Sequence, residues 1–344
     1  MNKLHIITDL QYGSTGKGLY AAFLAESIRP EAIITAWAPN AGHTVVTETG
    51  EKLVNIALPS GIVVNPRRVI LGPGSVINPD RFLQELSFYR ERGFTGEVII
   101  HSNAAVVEPH HLEEERQYGF RIGSTMKGAG AAAIQKMRRD PDIGLNVARK
   151  CDKLRIYTVS SAHYRDIIYG LDTAILEGAQ GFSLSINQGF YPWTTSRECT
   201  THQLLSDCGI PYDPNTAKWV HGVCRTFPIR VANRIGDDDT VYTSGPCYAD
   251  QAEVDWSHVG VEPELTTVTK LPRRIFTFSK QQVVDAITFN GVSSVFLNFC
   301  NYTDQEQIRS IVNTIHTRTK ATVNWFGYGP KISDIHGMMV IKDE

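Results

Sequence analysis

The sequence predicts an α/β protein, a three-layer fold with a largely parallel central sheet. Short apolar runs alternate with stretches whose apolar residues recur at helical spacing, as in a sheet covered by helices on both faces. The first apolar run closes in a glycine-rich loop that opens straight into a helix. Across 344 residues there is no internal repeat, low-complexity tract or linker rich in Pro, Ser or charge. One domain over residues 1–344, with loop excursions, is therefore expected rather than two.

The elements follow in order. Residues 4–10 are a short apolar run, and residues 19–28 have helical spacing, which together make a strand–loop–helix unit. Residues 32–38 read as a buried strand, and residues 44–49 and 52–58 as a hairpin turning at Gly50. Residues 69–77 read as one strand, followed by Asn78-Pro79, a helix-start signal for residues 81–92. Further strands are expected at 98–107, 174–176, 219–223 and 292–297, and helices at 131–139, 281–288 and 305–318.

Composition narrows the function classes. The chain is 42% hydrophobic and 20% charged, as in ordinary globular proteins, and its formal net charge is −2. That balance excludes a surface built for a nucleic acid polymer but leaves room for a local basic pocket holding a small anion. No apolar run reaches the length of a membrane span, and the first strand follows Met1-Asn2-Lys3 with no signal peptide between. The six cysteines form no C-x-x-C pair, so reduced thiols and a cytoplasmic location are expected.

The segment Gln11-Tyr12-Gly13-Ser14-Thr15-Gly16-Lys17-Gly18 lies between the first strand and helix. Gly13, Gly16 and Gly18 allow a tight turn that aims backbone N–H groups at an anion beside a helix N-terminus. Lys17 adds a point charge for terminal phosphates. The loop is not G-x-x-x-x-G-K-[ST]: it is shorter, and Gly18 stands where the metal-binding hydroxyl belongs. Taken alone, it also fits a tight turn with an exposed lysine. Three further loops favour the anion site: Asn40-Ala41-Gly42-His43-Thr44, Glu177-Gly178-Ala179-Gln180-Gly181 with Thr194-Thr195-Ser196-Arg197 soon after, and Gly123-Ser124-Thr125-Met126-Lys127-Gly128-Ala129-Gly130. Strand ends of a doubly wound sheet converge on one crevice, so His43 is expected to face the same phosphates.

Taken in order, these motifs resemble the adenylosuccinate synthetase family, from the N-terminal loop through Y-P-W-T-T-S to Gly329-Pro330, with parts of the second half shorter than in cellular members. The resemblance implies a P-loop-related fold, a homodimer, and an Mg²⁺-dependent ligase that phosphorylates O6 of a purine nucleotide before aspartate displaces the phosphate. It assigns the donor nucleotide to Gly13, Ser14, Thr15, Gly16, Lys17, Gly18, Gly42, Thr44, Asn301, Gly329 and Pro330, with Asn301 at its base. Position 14 and the Gly42 carbonyl are the Mg²⁺ ligands, and His43 stabilises charge on O6. Ser14, Lys17, His43 and Gln180 are the catalytic group. The acceptor nucleotide falls to Ser14, Asn40, Thr125, Gln180 and Thr195, with Arg139 reaching across from a partner subunit. Val268-Thr269-Lys270-Leu271-Pro272-Arg273-Arg274 resembles the aspartate-binding loop, in which Val268, Thr269, Arg273 and Arg274 bind aspartate and Arg273 suits a bidentate carboxylate contact.

Three departures specify the substrate. The family's loop carries an aspartate where this chain has Ser14, and that carboxylate takes the purine N1 proton and helps bind Mg²⁺. A hydroxyl of ordinary acidity does not replace it as a base, but it is smaller and can accept from an exocyclic 2-amino group. Asn301 stands where the family reads guanine with an aspartate; its amide matches adenine, so ATP or dATP is the expected donor. Leu271 replaces an arginine near the acceptor 2′-hydroxyl, which suits a deoxyribose. Together these features resemble a bacteriophage branch that makes succino-2-amino-2′-deoxyadenylate from dGMP, L-aspartate and ATP for 2-aminoadenine DNA, which implies action in the host cytoplasm. Two other readings stay open: an ordinary adenylosuccinate synthetase acting on IMP with GTP, and a non-catalytic nucleotide-binding regulator. The joint presence of Lys17, His43, Gln180 and Arg273 weighs against the second. His110-His111 beside Glu113 and Glu114 is read as a solvated helix start, and Asp237-Asp238-Asp239 as a loop tip.

Overall fold

The computed structural model describes residues 1–141, 146–236, 238–266 and 270–337. Among them, ten strands form one sheet: β1 (Lys3–Asp9), β2 (Ala32–Thr35), β3 (Arg68–Leu71), β4 (Glu97–His101), β5 (Thr158–Val159), β6 (Thr173–Glu177), β7 (Ala217–Arg225), β8 (Ser294–Asn298), β9 (Thr322–Gly327) and β10 (Ile335–Gly337). The spatial order is β10-β9-β8-β7-β1-β6-β2-β3-β4-β5. Only the β9–β10 pairing is antiparallel; the others are parallel. Buried on both faces, β2 and β8 expose no residue, as the inner strands of a parallel sheet require.

Helices cover both faces. On one side α1 (Lys17–Ile28) packs Leu19, Tyr20 and Leu24 against Ile7, Ile33, Ile175, Val223 and Phe296. On the other, Tyr164 and Ile168 of α5 (Ser161–Gly170) meet Leu4, Ile6, Ile34 and Leu176. The alternation of Ile6 and Ile7 between the two layers is the period-2 geometry of a strand. Helix α2 (Pro79–Glu91) starts where expected: Asn78 Oδ1 accepts the Arg81 N–H at 3.0 Å, and Pro79 occupies the first turn. The remaining helices are α3 (Pro109–Gly119), α4 (Ala129–Arg138), α6 (Thr201–Asp207), α7 (Lys280–Asn290) and α8 (Gln305–Arg318). None of the helices among the described residues is long and apolar enough to cross a membrane.

Two expected strands are each broken. Residues 69–77 divide into β3 and the short strand Val76–Ile77, because Gly72-Pro73-Gly74 leaves the sheet to pass the end of α6. A Cβ on Gly72 would meet the Asp207 carbonyl oxygen at 2.6 Å, and one on Gly74 would meet Asp207 Cβ at 2.5 Å. Residues 98–107 divide in the same way into β4 and Ala105–Val106, which pairs with Val76–Ile77 outside the main sheet. Both chains turn away beyond the C-terminal edge of the sheet, where ligands bind in such folds.

Below that edge lies a buried polar chain. His5 Nδ1 sits 3.1 Å from His221 Nε2, and His221 Nδ1 sits 3.0 Å from the Tyr20 hydroxyl. Burial, with His5 alongside, pushes the His221 pKa down to about 3 from 6.5. A folded-state pKa below the unfolded one means that the unfolded chain binds the extra proton first. The contribution of His221 is complete above pH 6.5 and is lost as pH falls from there toward 3. We expect it to cost a few kcal/mol by pH 4, at about 1.4 kcal/mol per unit. In urea titrations between pH 4 and 7, His221→Gln should flatten that slope; an unchanged slope would place the acid sensitivity elsewhere.

Candidate active site

The loop after β1 is organised from beneath by Asp9, the last residue of that strand. Its Oδ1 accepts the backbone N–H groups of Gln11 at 2.8 Å and Gly13 at 3.2 Å. Its Oδ2 accepts the Thr15 hydroxyl at 2.5 Å and Lys17 Nζ at 2.8 Å. Gly13, Ser14 and Gly16 all have positive φ, at 86°, 56° and 98°. At Gly16 glycine is also a spatial necessity, since the side chain of Asn298 fills the place of a Cβ while donating to the Thr15 carbonyl at 3.0 Å. Gly18 lies against Ser60, His43 and Thr44 in the same way. Gly16 caps α1 without a side-chain hydrogen bond, so the first N–H groups of that helix are left for an anion. Lys17 was expected to extend toward phosphates; in this structure it is buried on Asp9.

His43 begins the short strand His43–Val46 and meets Glu177, the end of β6. Its Nδ1 is 2.8 Å from Glu177 Oε1, while Glu177 Oε2 accepts the Ser60 N–H at 2.8 Å. The Trp37 ring packs edge-on to the imidazole with centroids 4.1 Å apart. Burial, with Lys17 nearby, holds the His43 pKa well below its ordinary value. Burial also raises that of Glu177 to about 8, against the opposing pull of its Ser60 contact. Burial thus works against the charged form of both partners. With Nδ1 engaged, Nε2 is the nitrogen left for a ligand.

Asn40, Gln180 and Thr195 come together as expected: Asn40 Nδ2 donates to Thr195 Oγ1 at 3.3 Å, and Gln180 Nε2 donates to Asn40 Oδ1 at 3.2 Å. Gln180 has φ 53°, and Gly181 beside it packs directly on the backbone of Gln11 and Gly13. Thr125 Oγ1 is buried with no hydrogen-bond partner, a polar atom awaiting one. In its loop the Gly128 N–H is already given to Glu115, so fewer amides are free there than the glycines suggested. Arg139 caps α4 at the surface with φ 55°. Asn301 is exposed on the single turn Cys300–Tyr302 that follows β8, and Gly329-Pro330 follow β9.

At the expected aspartate loop, Val268 and Thr269 lie outside the described residues. Arg273 is half-buried, its backbone N–H bonded to the Glu264 carbonyl at 2.8 Å. Arg274 departs from its expected role. Its guanidinium grips Glu253 through two bonds of 2.8 and 2.6 Å and also reaches Ser244 and Gly245, which leaves no fork for a substrate carboxylate. Of the His110-His111 pair, His111 has a structural role. His111 Nδ1 accepts the Glu108 N–H and its Nε2 meets Gln135, so neither nitrogen is open to a metal.

The adenylosuccinate synthetase family profile matches residues 6–158 and 146–308. The N6-succino-2-amino-2′-deoxyadenylate synthase of Salmonella phage PMBT28 is 41% identical, over 97% of both chains. This chain belongs to the adenylosuccinate synthetase family. The enzyme of the same name from cyanophage S-2L is 44% identical over 96% of this chain and 92% of its own. A solved structure of the cyanophage S-2L succinoaminodeoxyadenylate synthetase, bound to dGMP and dATP as an energy donor, superposes with a TM-score of 0.90 at 43% identity. It covers 98% of this chain and 95% of that one.

Within this family fold, four site residues escaped the sequence reading as individuals: Asp9, Glu177, Arg225 and Asn298. Asp9 did carry a signal, an acid ending an apolar strand just ahead of a glycine loop. The donor set at the crevice also fits the Mg²⁺ expected from the resemblance. Ser14 and Gly42 are both exposed, nothing lies within 4 Å of where a Gly42 Cβ would stand, and a hydroxyl and a carbonyl are hard oxygen donors. Asp9, saturated by four donors, is not part of that set.

Proposed function

We propose that this chain joins L-aspartate to dGMP at the expense of ATP or dATP, giving succino-2-amino-2′-deoxyadenylate, the nucleoside diphosphate and phosphate. The observation that carries the reading is Ser14: exposed at the loop tip, it offers a short hydroxyl where a carboxylate would crowd a 2-amino group. Relatives named for making the same product, matched over nearly the whole chain, support it, as does the similar cyanophage enzyme solved with dGMP and dATP bound.

In this reading the α1 amides and Lys17 hold the donor phosphates, and Ser14 and the Gly42 carbonyl hold Mg²⁺, which when bound neutralises phosphate charge. Oxygen O6 of dGMP attacks the γ-phosphorus, the N1 proton passes to solvent water, and the nucleoside diphosphate leaves. The aspartate amine then attacks C6, the C6–O6 bond breaks with inorganic phosphate as leaving group, and the nitrogen gives its extra proton to solvent water. His43, aimed by Glu177, places an N–H on O6 as charge develops there. Asn40, Thr125, Gln180 and Thr195 hold the acceptor, Arg139 of the partner subunit meets its phosphate in a homodimer, and Arg273 binds the aspartate carboxylate.

Purified protein with Mg²⁺ and aspartate should release phosphate from ATP with dGMP and not with IMP. Turnover of IMP with GTP only, or nucleotide binding without phosphate release, would sink the reading. Ser14→Asp should lower the ratio of kcat/KM for dGMP over IMP by about tenfold or more, equivalent to ~1.4 kcal/mol. An unchanged ratio would defeat the steric argument.

A further inference from the structure

The residue that follows β8, Phe299, has φ 58°, a left-handed conformation that a bulky side chain rarely adopts. Three hydrogen bonds enforce it. Its N–H donates to Asn298 Oδ1 at 2.8 Å, and its carbonyl accepts the Thr226 hydroxyl at 2.7 Å and the Tyr302 N–H at 3.0 Å. Backbone held in this way against its preference is concentrated at ligand sites.

Beneath the ring lies Arg225, fully buried, its guanidinium carbon 3.8 Å from the Phe299 ring centroid. The same guanidinium donates to the Ser14 carbonyl at 3.0 Å and to Glu264 Oε1 at 2.5 Å, and its Nε is buried with no hydrogen-bond partner. A cation buried with one nitrogen unsatisfied is costly unless contact with the aromatic face repays it. Phe299 is thus a half-buried ring stiffened from one side, two residues before the exposed Asn301.

We propose that the purine ring of the nucleotide donor stacks on Phe299, and that Arg225 is a positioning residue linking this platform to the phosphate loop through the Ser14 carbonyl. The inference rests on the reading of Asn301 as the donor-base site. A π-face stacks on any purine, while the edge contacts choose between purines. Phe299 therefore supplies affinity, and Asn301 supplies selection.

The test is steady-state kinetics of Phe299→Leu and Phe299→Trp. Phe299→Leu should raise KM for ATP about tenfold or more, leave KM for dGMP and aspartate within about twofold, and lower the melting temperature only modestly, as Arg225 loses its aromatic contact but keeps Ser14 and Glu264. Phe299→Trp should restore most of the ATP affinity. The wild type should quench the fluorescence of 2-aminopurine riboside triphosphate, and Phe299→Leu should not. An unchanged KM for ATP, or an equal rise for all three substrates, would overturn the proposal. If the wild type instead uses GTP, the donor-base reading fails on its own. The platform is then judged by the same tenfold rise in KM for GTP.

Discussion

Replacing Lys17 by methionine is expected to lower kcat/KM by about 10²–10³, the usual cost of removing a charge donor from a transition state, and to destabilise the fold as well. Lys17 and Asp9 pair at 2.8 Å with side chains only 3% and 0% exposed. Removing one member of such a pair leaves a buried charge, a loss of about 3–5 kcal/mol. Asp9 keeps its bonds from Gln11, Gly13 and Thr15, which puts the loss near the lower figure. The two effects separate in the double variant Asp9→Asn with Lys17→Met, which should regain most of the stability in urea unfolding and none of the rate. Recovery of the rate would mean that Lys17 is a strut for the loop and never meets the donor. Under the proposed function, Lys17 would exchange Asp9 for the donor phosphates when the nucleotide arrives.

Replacing His43 by alanine should reduce kcat by about 10²–10⁴ with little change in KM. The fold should survive, because burial already favours the neutral form of the Glu177 carboxyl, which keeps its bond from the Ser60 N–H. The pH dependence follows from the same pair. Below about pH 8 the dyad retains its proton, and above it the proton is lost, so kcat/KM should fall on the alkaline side with an apparent pKa near 8 that belongs to the pair. Stability has the same sign: a carboxyl whose pKa is raised on folding is most favourable below its unfolded value of 4.5 and loses that contribution as pH rises through 8. Glu177→Gln keeps a hydrogen-bonding group but no titrating proton, so this alkaline limb should disappear or move. A limb unchanged in Glu177→Gln would assign it to another group.

Local pattern made much of this readable. Helix α8 at Gln305–Arg318 matches its expected span, and the start of α2 is written in Asn78-Pro79, because capping and helical periodicity act within a few residues. The positive-φ glycines of the phosphate loop were legible for the same reason. Strand breaks were not. Nothing near Gly72 and Gly74 announces that Asp207, far along the chain, will lie against them. Arg274 reads like Arg273 in sequence, yet its guanidinium is taken by Glu253 across an antiparallel pair of strands.

By itself the sequence determined the fold class, the family, the glycine-rich loop after β1 and the presence of Ser14 in it, all of which are written in short local motifs. The tertiary structure alone decided how the site is wired. The return of β6 between β1 and β2 brings Glu177 to His43, 134 positions away. Arg225 reaches the Ser14 carbonyl across 211 positions. Asp9, only eight positions from Lys17, becomes its partner because the glycine turns fold the loop back over the strand end. Pairings of this kind depend on which strand ends converge and which charges are buried together, and no local pattern of residue types encodes either.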